Sequence, residues 1–78
     1  MKELVLFLAK QLVNHPDAVE VKETQGETAS VLELKVARED IGRVIGKQGR
    51  TAKSIRTILN AVASRTNRKV VLEILEDK

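Results

Sequence analysis

The sequence predicts an α+β fold with its elements in the order helix, strand, strand, helix, helix, strand, a three-stranded mixed sheet carrying three helices on one face. Three observations carry that expectation. Apolar residues recur at helical spacing in three stretches and alternate with polar ones in two others. Two glycines, Gly46 and Gly49, leave only Lys47 and Gln48 between the last two helical stretches. A strand followed by a two-helix crossover and another strand is best satisfied by parallel pairing with a right-handed connection, which sets the final strand beside the second.

Over residues 2–14, Leu4, Val5, Leu8, Leu12 and Val13 follow the rhythm of a helix burying one face. Asn14-His15-Pro16 ends it, because proline disfavours helix at the residue before it and has no N–H to donate. Residues 18–24 alternate Val19 and Val21 against Glu20, Lys22 and Thr24, and residues 28–36 turn Leu32, Leu34 and Val36 one way and Glu33 and Lys35 the other. Gln25-Gly26-Glu27 between them predicts an antiparallel hairpin. Its solvated face carries Glu20, Lys22, Glu33 and Lys35, continued by Glu73 on the last strand.

Residues 38–45 predict a short helix, with Glu39 and Asp40 in a first turn where negative charge suits the dipole and with Ile41, Val44 and Ile45 at helical spacing. Gly46 stops it, since only glycine enters left-handed backbone conformations without a Cβ penalty. The next helix covers residues 50–66, with Ala52, Ile55, Leu59 and Val62 as its core stripe and Lys53, Thr57, Asn60 and Ser64 on the wet face. Residues 66–69 form an exit loop and residues 70–75 a last strand rich in β-branched and aliphatic residues.

Length and composition narrow the function. Residues 1–78 are expected to form one small domain with a modest core, 42% of the chain being apolar. No cysteine is present to form a disulfide or a thiolate metal site, and the longest apolar run is far short of a membrane span. A soluble, unprocessed, cytoplasmic chain is expected, with no cofactor and no metal. Between Ile41 and Leu72 stand eight basic residues and no acidic one; the remaining six basic and eleven acidic residues leave a net of −5 elsewhere. That segregation points to a polyanionic partner. The glycine-walled loop fits such a partner, because N–H groups at a helix start lack intrahelical acceptors and welcome a phosphate oxygen. Lys47, Arg50 and Lys53 add positive charge around it.

An enzyme is not expected. Gly42 to Lys47 has three residues, not four, between its glycines, and Gln48 stands where a P-loop needs Ser or Thr. His15, the single histidine, sits by Pro16 with Asp17 as its nearest carboxylate in sequence, which predicts local turn chemistry. No nucleophile-base pair or metal-ligand cluster is visible.

The run Gly42-Arg43-Val44-Ile45-Gly46-Lys47-Gln48-Gly49, followed by Ile55, resembles the signature of KH domains, and the element order resembles their type II arrangement. The resemblance covers nearly the whole chain, and its size and the Gly49-Arg50-Thr51 step are similar to the small stand-alone bacterial KH proteins of the KhpA kind. It implies that residues 46–49 clamp the backbone of single-stranded RNA over about four nucleotides. Gly46 and Gly49 would shape the loop, Lys47 and Gln48 would face the phosphates, and Arg43, Arg50, Lys53 and Arg56 would surround the path. Ile41, Val44 and Ile45 would line an aliphatic groove, which suits a chain whose one aromatic is Phe7. The resemblance further implies a post-transcriptional regulator or RNA chaperone acting as a homodimer or with a larger KH-containing partner. Ser54, Ile58, Ala61 and Arg65 form a stripe beside the core face on which another helix can approach closely. A protein-interaction module whose partner supplies most of the RNA affinity is the alternative.

Overall fold

The computed structural model describes residues 1–75; residues 76–78, included in the expected domain, lie outside the described part. The elements are α1 (Lys2–Leu12), β1 (Glu20–Gln25), β2 (Ala29–Lys35), α2 (Ile41–Ile45), α3 (Arg50–Ser64) and β3 (Lys69–Leu75), in the predicted order. β2 is central, antiparallel to β1 and parallel to β3. The two-helix crossover therefore connects neighbouring parallel strands, as the sequence predicts.

Strand alternation sets the layers. Ser30, Leu32 and Leu34 turn inward from β2, and Leu32 and Leu34 are wholly buried, beside Val21 of β1 and Leu72 of β3. Val5 and Ala9 of α1, Val44 of α2, and Ile55 and Leu59 of α3 close over them. The opposite face is wet, and its charges alternate across the β1–β2 pair, Glu20 facing Lys35 and Lys22 facing Glu33. Opposite charges directly across a strand pair reinforce the register.

Four local expectations are corrected. α1 stops at Leu12, because the N–H groups of Asn14 and His15 turn to the Asp40 carboxylate (3.1 and 3.0 Å) instead of continuing the helix. β1 begins at Glu20, since Pro16–Ala18 forms a 3₁₀ turn closed by Val19 N–H on the Pro16 carbonyl. The predicted helix over 38–45 is a 3₁₀ turn, Arg38–Asp40, followed by the five-residue α2, and Asp40, placed in the first helical turn from the sequence, immediately precedes α2 and is fully buried. On α3 the last core position is Ala63, 1% exposed, while Val62 is 43% exposed. The chain folds back at Ala63, whose carbonyl accepts from Thr66 and Arg68 and whose methyl is enclosed.

His15 makes its expected local turn, its carbonyl accepting from the Ala18 N–H at 3.0 Å, while its ring meets a carboxylate distant in sequence. Its Nδ1 lies 3.2 Å from Asp40 Oδ2, a partner 25 residues away. Arg68, counted in sequence among the basic residues facing a polyanion, holds the hairpin turn: Nη2 donates to the Gly26 carbonyl (2.9 Å) and to Ser30 Oγ (3.2 Å). These bonds tie the start of β3 to the β1–β2 turn, reinforcing the Lys69 N–H bond to the Thr28 carbonyl. Arg68→Ala leaves that turn and the buried Ser30 hydroxyl without their donor. It is expected to lower stability by about 1–2 kcal/mol, read as a shifted urea midpoint with an unchanged slope.

Candidate nucleic-acid interface

The turn between α2 and α3 is built from an unusual run of backbone conformations. Gly46 has φ 78° and ψ 174°, and its N–H closes α2 on the Gly42 carbonyl at 2.8 Å. Lys47–Gly49 makes a single 3₁₀ turn with Gly49 N–H on the Gly46 carbonyl at 3.2 Å. Within it Gln48 (φ 57°) and Gly49 (φ 76°) are both left-handed. Sequence reasoning anticipates the glycines and misses Gln48, whose amide side chain gives no local sign of that conformation. A left-handed residue bearing a Cβ costs about 1–2 kcal/mol.

The two glycines do different work. A Cβ on Gly46 would collide with the Thr51 side chain and come within 2.8 Å of the Thr51 nitrogen, so α3 packs against bare backbone there. A Cβ on Gly49 would meet nothing within 4 Å, and the same holds for Gly42 on α2. Gly49 thus needs its conformation but not its space. No side chain caps the start of α3. Glycines open to solvent beside an uncapped helix start leave backbone accessible to a close ligand.

The charged residues sort into two groups. Lys47, Arg50 and Lys53 are exposed and, among the described residues, have no carboxylate partner. Arg43 is drawn back toward the α1–β1 connection: Nε lies 3.9 Å from Asp40 Oδ1, and Nη2 and Nε donate to the Asn14 amide oxygen at 3.1 and 3.2 Å in the orientation its surroundings require. Arg56 reaches across to β3, where Nη2 donates to the Leu72 carbonyl at 3.3 Å. There it borders a cleft of about 160 Å³ lined by Arg56, Leu59, Asn60, Val70, Val71 and Leu72. Of the three aliphatic residues expected to line a groove, Ile41 and Ile45 are half-buried; Val44 is wholly buried in the core and has no surface to offer. It anchors α2 instead.

On another flank of α3, Ser54, Ile58, Ala61 and Arg65 are all exposed, and α1 does not cover Ile58 (42% exposed). Val62 joins this stripe. Among the described residues no group of three or more His, Cys, Asp or Glu is placed to hold a metal, and no helix is long and apolar enough to cross a membrane.

Substitutions should separate the two glycines. Gly46→Ala meets both the backbone of Thr51 and an unfavourable φ, and is expected to destabilise by about 3 kcal/mol or more. Gly49→Asn, with open space and a residue that tolerates left-handed geometry, is expected to cost under about 1 kcal/mol. Thermal melts of the two variants check the order.

Comparison with known proteins agrees with this geometry. A family model described as the KH domain of KhpA/KhpB matches residues 2–74. The RNA-binding protein KhpA of Chlamydia caviae is 54% identical over all 78 residues, covering the whole of both chains. That of Clostridium perfringens is 57% identical over 75 residues, covering 96% of this chain and all of the relative. Among solved structures, Era in complex with MgGDPNP and nucleotides 1506–1542 of 16S ribosomal RNA superposes with a TM-score of 0.62 at 26% identity; the match covers 97% of this chain and 30% of Era. With the strand order, the glycine loop and full-length relatives in agreement, the chain belongs to the KhpA/KhpB family of KH domains, whose named members are RNA-binding proteins.

Proposed function

We propose that the chain binds short single-stranded RNA, gripping its backbone at Gly46-Lys47-Gln48-Gly49 and directing about four nucleotides along α3 toward β3. The observation that carries this reading is the uncapped start of α3 behind a glycine whose Cβ position faces open space. A phosphate there meets the positive end of a 15-residue helix, beside a turn whose Gly49 and Arg50 N–H groups bond the Gly46 and Lys47 carbonyls. Lys47, Arg50 and Lys53 supply charge without a competing carboxylate among the described residues. Gly42, open on the surface of α2, widens the approach. The cleft between Arg56, Asn60 and the edge of β3 receives the bases that follow the gripped phosphates. Named relatives are RNA-binding proteins, and Era, 30% of which superposes on this chain, was crystallised in complex with nucleotides of 16S ribosomal RNA. The cellular role is that of a cytoplasmic post-transcriptional regulator or RNA chaperone.

Ile58 and Val62, each over 40% exposed, favour a second activity of the same chain. With Ser54, Ala61 and Arg65 they form a surface on which a second copy, or a larger KH-containing partner, packs helix to helix. Should the partner supply most of the RNA affinity, the chain acts chiefly as an interaction module.

Replacing Lys47 and Gln48 together by Asp places like charge against phosphate. The double variant is expected to weaken single-stranded RNA binding by about a hundredfold or more, with its circular dichroism unchanged. Fluorescence anisotropy with a labelled oligoribonucleotide measures this, and wild-type affinity would sink the loop assignment. Ile58→Asp is expected to yield monomers that still bind RNA at the loop, because a desolvated helix contact does not accept an unpaired carboxylate. Light scattering giving the same mass as the parent protein would refute the interface.

A further inference from the structure

Asp40 is the one wholly buried ionisable side chain among the described residues. A carboxylate removed from water is costly unless its oxygens are filled by donors. Here they are: Oδ1 accepts from the Asn14 N–H (3.1 Å) and lies 3.9 Å from Arg43 Nε, while Oδ2 accepts from the His15 N–H (3.0 Å) and pairs with His15 Nδ1 (3.2 Å). Every donor but Arg43 comes from the connection between α1 and β1. Asp40 itself stands immediately before α2, its N–H held by the Ala37 carbonyl at 2.8 Å. The carboxylate therefore fastens the start of α2 to a segment 25 residues away in sequence.

That fastening bears on the loop because α2 has five residues, too few to hold a helix by its own hydrogen bonds. Its far end is Gly46. A five-residue helix is about 8 Å long, so a tilt of about 10° at its start moves its end by more than about 1 Å. Val44 and the half-buried Ile41 pack on the core and Gly46 abuts Thr51, but these contacts are non-directional, and a short helix resting on them can still tilt. Asp40 supplies the directional bonds that set its angle. Arg43 gains from the same arrangement, since Asp40 and Asn14 together fix a guanidinium that otherwise sweeps the surface beside the loop.

We infer that Asp40 is a positioning residue for the RNA-gripping loop, setting the angle of α2 through the Asn14 and His15 N–H groups and so pre-organising Gly46-Lys47-Gln48-Gly49 for phosphate. The inference rests on the RNA-binding reading, and its test keeps the two apart. Asp40→Asn puts an amide NH₂ where one oxygen accepted and removes the charge facing His15 and Arg43. In the free protein, the amides of Lys47, Gln48 and Gly49 are expected to move in ¹⁵N-correlation spectra and to exchange about tenfold faster, while β2 and α3 retain their protection. RNA affinity of the folded variant is expected to fall about tenfold, because an unordered loop must be ordered on binding. His15→Ala, which deletes one partner and keeps the fold, is expected to shift the same amides in the same direction by less. It decides the matter should Asp40→Asn fail to fold. Loop amides and RNA affinity unchanged in the folded variant, with only the melting temperature lowered, would reduce Asp40 to a stability residue and overturn the inference. Should the Lys47 and Gln48 double Asp variant bind RNA as the parent does, the RNA reading fails, and the loop amide spectra still determine whether Asp40 orders the turn.

Discussion

At Gly46 two helices meet with no room for a methyl group between them. The position demands a left-handed φ and, independently, a bare Cα against Thr51. Much of the architecture depends on that contact. A parallel β2–β3 pair needs a crossover that leaves one end of the sheet and re-enters at the other, and here the crossover also roofs the sheet with two helices. A loose connection would let α2 and α3 separate and uncover Val44 and Ile55. The tight turn keeps both on Leu32 and Leu34 and pushes Lys47 and Gln48 outward, so the constraint that closes the core also exposes the loop.

The electrostatics follow from what the fold does with its cations. In sequence, eight basic residues stand without an acidic neighbour, and they look equivalent. In space they divide by partner. Arg68 holds the hairpin turn, Arg43 faces Asp40 and Asn14, and Arg56 donates to a β3 carbonyl. Lys47, Arg50 and Lys53 remain at the mouth of the loop. A guanidinium bonded to a carbonyl keeps its charge and its remaining donors, Arg56 spending one of its N–H groups on Leu72, but the bond fixes where it sits. On the proposed RNA path Lys47, Arg50 and Lys53 therefore serve the loop, and Arg56 stands farther along α3.

How much of this was legible in sequence depended on the range of the interaction responsible. The elements, their order and the parallel β2–β3 pairing follow from periodicity and from glycine chemistry, which act over a few residues. The loop glycines were legible for the same reason. Ala63 was not, because stepping three or four residues from Leu59 lands on Val62 or Ala63, and hydrophobicity favours the wrong one. The chain returns through residues 65–68 at that point, and the smaller side chain is the one enclosed. Asp40 was legible as charge and misassigned in role: next to a helix start, an aspartate is most simply explained by the dipole. Its actual donors lie 25 and 26 residues away, and no local pattern announces them. Val44 failed in the same manner, since Ile41, Val44 and Ile45 share one face of α2, and which of them turns fully inward is settled by the sheet beneath.

One helix can carry both proposed activities because they occupy different sides of it. At about 100° per residue, Arg56 and Ile58 point about 160° apart around the axis of α3, and Lys53 and Ile58 about 140° apart. Arg56 is bonded to β3, so the RNA path runs on that flank. Ile58 and Val62 then face away from it and are both over 40% exposed, Val62 bordering a cleft it shares with Met1 and the strands. The loop sits at the start of α3, whereas Ile58, Ala61 and Val62 lie in its second half and Arg65 caps its end, with Ser54 alone of that surface in the first half. A partner docked on that half leaves the glycine turn open. RNA entering at the turn reaches Arg56 and Asn60 without crossing the partner, so binding at one surface has no steric reason to displace the other.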